Sequence, residues 1–270
     1  MNQAEVNIDY DALIAGTSSA LRDAGRIILA ASVERSQIEK KSDSNYVTEI
    51  DYRVQEFLAV RLEDILPGSK LIAEESQTNE YVVELPTWIL DPVDGTTNLI
   101  FDFKFSAISL ALYLDGRPTL GFIYNPYLDE MFIGQVDVGA WLNGQPISVS
   151  QTTDMKQALF GFGTNPYDRS ASAQTFAMIS DVFAASIEIR RSGSAALDLA
   201  YVACGRLDGF FEQTLQPWDY AAGTIIVEAA GGIVRDWQGQ KMPDLLRPRG
   251  IIAASVALFA DLDEILGRHR

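Results

Sequence analysis

Residues 88–98 read WILDPVDGTTN. An apolar run, Trp88 to Leu90, leads straight into Asp91, and a second carboxylate, Asp94, follows across Pro92. Two like charges this close repel, so the stretch calls for something positive between them. Pro92 fixes φ and has no N–H to donate, so the chain kinks there and both aspartates can face one side. The Val93 carbonyl is left between them as a further oxygen donor. Gly95 has no side chain to block a close approach, and the N–H groups of Gly95 and Thr96 can open a helix toward an anion. Thr96 and Thr97 add hydroxyls that can position a water. The plain alternative for Asp-x-x-Asp-Gly is a surface turn or helix cap. The apolar lead-in and the Thr-Thr-Asn tail favour a site.

Working outward, residues 8–33 carry Leu13, Ile14, Ala20, Leu21, Ile27, Ile28 and Leu29 at roughly helical spacing. A second helix is expected over EIDYRVQEFLAVRLEDIL (49–66), with Thr48 as its cap and Asp51 in the first turn, where a carboxylate suits the helix dipole. KLIAEES and TWILD read as strands, and the runs from FSAISLALYLDG to GAWLNG read as an antiparallel meander ending near residue 150. Beyond it, helical and strand-like runs alternate to a C-terminal helix. The expected fold class is α/β (α+β), a layered arrangement of helices and sheets. Its N-terminal part spans 1–150 and its C-terminal part 151–270.

Asp plus Glu number 37 against 21 Lys plus Arg, a net charge of −16, which argues against a nucleic-acid backbone as direct partner. MNQAEVNIDY has neither a basic start nor an apolar core, and IIAASVALFA (251–260) is too short for a membrane span, so a soluble cytoplasmic protein is expected. The single cysteine, Cys204, excludes an internal disulfide and reads as packing. The one histidine, His269, is next to last, so neither a Ser-His-Asp hydrolase nor a His/Cys metal site is expected. GFGTNP (161–166) begins like a phosphate loop but lacks the third glycine and the lysine, and reads as an ordinary turn. Carboxylates remain. Glu74 and Glu75 end one apolar run, Asp91 and Asp94 another, and Asp219 follows Pro217 and Trp218. Hard cations such as Mg²⁺ take such oxygen ligands.

WILDPVDGTTN, with AEES (73–76) before it and PWDYAAGTIIVEAAGG (217–232) after it, resembles the inositol monophosphatase family in its bacterial form. The likeness runs from VTEID (47–51) to GGIVRDWQG (231–239). It implies a layered sandwich like that of inositol monophosphatase and fructose-1,6-bisphosphatase. It also implies two or three Mg²⁺ ions on Glu74, Asp91, the Val93 carbonyl, Asp94 and Asp219. The implied reaction is hydrolysis of a small phosphate monoester, inositol 1-phosphate foremost, by in-line attack of a metal-activated water. Glu74, Thr96 and Asp51 would orient that water. Gly95 and Thr96 would hold phosphate, and Gly193, Ser194, Ala195 and Glu212 would line the leaving-group side. Ala73 stands where many relatives have glycine. Glu75 is expected to support the site from beside it, Trp218 to pack behind Asp219, and Lys40 or Lys41 to lie in a closing loop.

Thr97 stands where relatives acting on 3′-phosphoadenosine 5′-phosphate or histidinol phosphate carry lysine. That favours inositol phosphate over the first alternative, and fructose 1,6-bisphosphate stays open. A non-catalytic regulatory binding protein is the reading from another class, since some bacterial relatives associate with transcription machinery. The resemblance also implies lithium sensitivity and a homodimer.

Overall fold

A computed structural model describes residues 8–30, 39–40, 46–47, 49–76, 81–164, 169–242 and 247–270. The run ending at Asp94 is an interior strand of a seven-stranded sheet. In chain order this half holds α1 (Tyr10–Leu29), β1 (Glu39–Lys40), β2 (Tyr46–Val47), α2 (Glu49–Ile65), β3 (Lys70–Ala73), β4 (Thr87–Asp94) and α3 (Thr96–Ile100). The meander β5 (Ala107–Leu114), β6 (Arg117–Asn125), β7 (Glu130–Gln135), β8 (Gly139–Leu142) and β9 (Gln145–Pro146) follows. The sheet runs β3 to β9 in sequence order, parallel between β3 and β4 and antiparallel thereafter.

The second half holds β10 (Leu159–Phe162), α4 (Ser172–Ala185), β11 (Glu188–Arg190), α5 (Ala195–Ala203), β12 (Gly209–Leu215), α6 (Pro217–Ala229), β13 (Ile233–Asp236), β14 (Arg249–Ala254) and α7 (Phe259–Gly267). Its sheet has the order β11-β10-β12-β14-β13, with β10 parallel to both neighbours.

Strand alternation sorts the core into layers. On β4, Trp88 and Leu90 pack with Leu21, Val54 and Leu58 of α1 and α2, while Ile89 turns to the opposite cluster with Leu199 and Ile226 of α5 and α6. The second sheet divides likewise. Phe210 and Ile251 face α5 and α6, whereas Phe211 and Ile252 face Met178 and Val182 of α4 and Leu262 of α7. The order is therefore helix, sheet, helix, sheet, helix, the layered α/β class expected from the sequence. α1 is shorter than the periodicity suggested, because the Asp9 carboxylate caps Ala12 N–H at its start and Ala30 closes it. Thr48 and Lys41 lie outside the described residues, and Lys40 falls in β1.

The middle layer sits very close to the first sheet. A Cβ on Gly134 of β7 would lie 2.6 Å from Ile226 Cα and 3.0 Å from Ile226 N, both backbone atoms of α6. Neither can swing away as a side chain could. Gly134→Ala is therefore expected to destabilise the fold by about 1–3 kcal/mol, read as a lower urea midpoint at unchanged slope. This seam matters to the site because α6 carries Asp219.

Candidate metal and phosphate site

Asp91 and Asp94 reach the same side of β4 through a bulge. Asp91 pairs with Ser109 of β5 and Asp94 with Ala107, so three steps on one strand match two on the other. Residues three apart on a regular strand face opposite ways, and the extra residue at Pro92–Val93 cancels that. Each carboxylate is then fixed by a local donor. Asp91 Oδ1 accepts from Val93 N–H at 2.9 Å. Asp94 Oδ2 accepts from the Ser194 hydroxyl and from Ala196 N–H at 2.9 Å, at the start of α5. Asp219 Oδ2 accepts from Gln216 N–H at 2.7 Å in a capping box that opens α6 behind Pro217. One oxygen from each of Asp91, Asp94 and Asp219 lies within 4.8 Å of the others.

The turn beyond Asp94 depends on Gly95, whose φ of 90° is the left-handed conformation. A Cβ there would also stand 3.1 Å from the Gly193 carbonyl oxygen and 3.2 Å from that of Phe105. α3 starts at Thr96, whose hydroxyl lies 3.2 Å from Asp51 Oδ1 and 3.1 Å from the Val93 carbonyl. Asp51 is buried in the first turn of α2. The Asn98 amide donates to Phe105 O at 2.6 Å and Ser192 O at 2.9 Å, tying the turn before α5 to α3. Gly193, Ser194 and Ala195 are thereby held opposite the Gly95 turn.

The result is a cleft of about 280 Å³. Its walls include Glu74, Asp91, Val93, Asp94, Gly95 and Thr96 on one side, and Gly193, Ser194, Ala195, Glu212 and Asp219 on the other. Asp51 reaches it through Thr96. Beside the cleft, Glu75 N–H donates to Gln55 Oε1 at 3.1 Å, and Trp218 packs against the central core with its carbonyl accepting from Ser109 Oγ at 3.0 Å.

Burial and mutual repulsion push these carboxyls toward the protonated form. Burial acts most on Asp91, then the charges of Glu74, Asp94, Asp219 and Asp51, and its pKa stands well above the usual range. Asp219 is raised by burial and then by Asp94 and Glu74. Asp94 is raised to about 6, because burial outweighs the donors from Ser194 and Ala196. Such a cluster either takes up protons or holds a cation. The donors are all oxygens, three converge, and Asp91 and Asp94 are buried, so the residues fit a hard divalent metal ion.

Several lining residues escaped the sequence reading. Asp198 of α5 is buried, accepts from Ser192 Oγ at 2.7 Å, and is raised to about 8 by burial. Its one signal is a carboxylate inside the small apolar run SAALDLAY. Arg191, Gly163 and Thr164 also line the cleft, the last two from the GFGTNP segment read as an ordinary turn.

A profile of the inositol monophosphatase family matches residues 9–267. The chain belongs to the inositol monophosphatase family. It is 39% identical over 248 residues to inositol monophosphatase 3 of Solanum lycopersicum, covering 90% of this chain and 91% of that one. It is 37% identical over 226 residues to Nus factor SuhB of Salmonella typhimurium, covering 82% and 83%. Among solved structures it resembles the extragenic suppressor protein SuhB of Bartonella henselae, with a TM-score of 0.86 at 32% identity, covering 94% and 98% of the two chains. This family member has no helix among the described residues long and apolar enough to cross a membrane.

Proposed function

We propose that the protein is a magnesium-dependent phosphatase that hydrolyses a small phosphate monoester, inositol 1-phosphate first among them. The observation that carries this reading is the convergence of Asp91, Asp94 and Asp219 within 4.8 Å at a cleft that also holds the Gly95–Thr96 turn. Glu74, Asp91, the Val93 carbonyl, Asp94 and Asp219 would hold two or three Mg²⁺ ions. When bound, these ions supply the positive charge that stabilises the attacking and leaving oxygens of an in-line displacement.

The chain's own residues do the rest. The Thr96 hydroxyl directs its proton to Asp51 and offers its oxygen to the attacking water, with Glu74 as the water's other anchor. N–H groups of Gly95 and Thr96 hold phosphate oxygens as charge spreads over them. Glu212 and the Gly193–Ala195 turn face the leaving alcohol. The strand-borne acids come from a subdomain spanning 1–150, while Asp219 and the leaving-group side come from one spanning 151–270. The same reading carries lithium inhibition, a homodimer and a cytoplasmic location.

Phosphate release from inositol 1-phosphate, fructose 1,6-bisphosphate, 3′-phosphoadenosine 5′-phosphate and histidinol phosphate, each with magnesium and with EDTA, tests it. The expected result is a preference for inositol 1-phosphate that EDTA abolishes. A preference for another ester would replace the substrate. No release from any ester would favour the second reading, a regulatory binding protein, which the likeness to a relative named Nus factor SuhB supports.

A further inference from the structure

GFGTNP has the composition of a turn, yet its Gly163 stands directly beside Glu212. β10 and β12 run parallel with Phe160 opposite Gly209, Gly161 opposite Phe210 and Phe162 opposite Phe211. The next position on each strand is Gly163 and Glu212, and Gly163 N–H donates to Phe211 O at 3.0 Å, which fixes the pairing. A Cβ on Gly163 would fall 1.8 Å from Glu212 Oε2, 2.1 Å from its Cδ and 2.6 Å from Oε1. The Glu212 carboxylate therefore occupies the space a side chain at 163 would take. All three nearest atoms belong to the far end of one flexible side chain, none to backbone. Gly163 has no positive φ, so no left-handed strain opposes an alanine there. The group that a methyl at 163 meets first is the Glu212 carboxylate.

We infer that Gly163 is a positioning residue for leaving-group selectivity. Its missing side chain lets the Glu212 carboxylate lie back against the end of β10, which keeps the cleft open to a ring-shaped polyol and aims the carboxylate at its hydroxyls. This rests on the proposed phosphatase reading and extends it to a cleft-lining residue that acts through Glu212. Any side chain at 163 swings the carboxylate into the cleft, where it meets the ring and loses the hydroxyl contact. Esters whose alcohol has no hydroxyl make no such contact.

The test is a cycle of Gly163→Ala, Glu212→Ala and the double variant. For each, kcat and KM are measured on inositol 1-phosphate and on phenyl phosphate, and Tm is measured with magnesium. Gly163→Ala is expected to lower the inositol-to-phenyl ratio of kcat/KM by about tenfold or more, the size of one charge-assisted hydrogen bond, chiefly through KM. In the Glu212→Ala background the same change should cost nothing further, and Glu212→Ala should recover any Tm lost by Gly163→Ala. A ratio unchanged in an active Gly163→Ala enzyme overturns the inference and leaves the phosphatase reading intact. So do losses that multiply in the double variant, or a misfolded Gly163→Ala that Glu212→Ala does not recover. A wild type that hydrolyses neither ester overturns the phosphatase reading and the selectivity role with it.

Discussion

Asp91→Asn is expected to cut magnesium-dependent phosphate release by about a thousandfold while raising the melting temperature of the metal-free protein. Asparagine keeps the side-chain oxygen that accepts from Val93 N–H, so the bulge around Pro92 retains its hydrogen bond. It removes the charge that faces Glu74, Asp94, Asp219 and Asp51 from a buried position. Without a cation that charge is a cost to the fold, and deleting it relieves both desolvation and repulsion. Each kcal/mol regained should lift Tm by about 2–4 °C in a chain of this size. With a cation the same charge is a ligand. Losing it forfeits several kcal/mol of transition-state stabilisation, on the order of a thousandfold in rate. Melting curves in EDTA and in magnesium separate the two effects. Asp91→Asn should melt above wild type in EDTA and gain little from magnesium, whereas wild type should gain strongly. A variant that melts below wild type in EDTA yet still responds fully to magnesium would sink the assignment of Asp91 as both repelling charge and ligand.

Much of the fold was legible because strand alternation and helical spacing are local properties. Trp88, Ile89 and Leu90 announce a strand buried on both faces, and Pro217 with Asp219 announces a helix start. The site was most directly legible where one short segment contains it, while Glu74 and Asp219 stood out as carboxylates that end an apolar run and open a helix. Asp91, Asp94, Gly95 and Thr96 sit in six residues, and Pro92 hinted at the kink. The bulge itself was not legible, since a spacing of three on a strand predicts opposite faces and only the pairing with Ser109 and Ala107 reverses that. Gly163 and Glu212 are 49 residues apart and meet only because β10 and β12 run parallel in one register. Asp198 was hidden differently. A single acid in a small-residue helix looks like a surface position until the helix is found between two sheets, with Asp198 turned to the cleft.

The second large effect is a stability that falls with pH in EDTA and not in magnesium. A carboxyl whose folded pKa is raised binds more protons folded than unfolded, so its contribution is full below the unfolded pKa and is lost as pH rises through the folded one. For Asp94 that window runs from the ordinary 3.8 to about 6. A rise of that size is worth up to about 3 kcal/mol. Asp91 and Asp219 shift the same way, and Asp198, at about 8, carries the loss on toward neutrality and beyond. Metal binding inverts the sign, because ligands must be deprotonated to bind and the cation is held more tightly as pH rises. Urea midpoints measured from pH 5 to pH 8, with EDTA and with saturating magnesium, should therefore diverge steadily. Groups away from the cleft contribute alike to both series, so the difference between the series isolates the site. A gap that stays constant across this range would mean that the cluster neither holds protons when empty nor exchanges them for a cation. Asp91→Asn should narrow the gap at every pH, since it removes one of the groups that creates it.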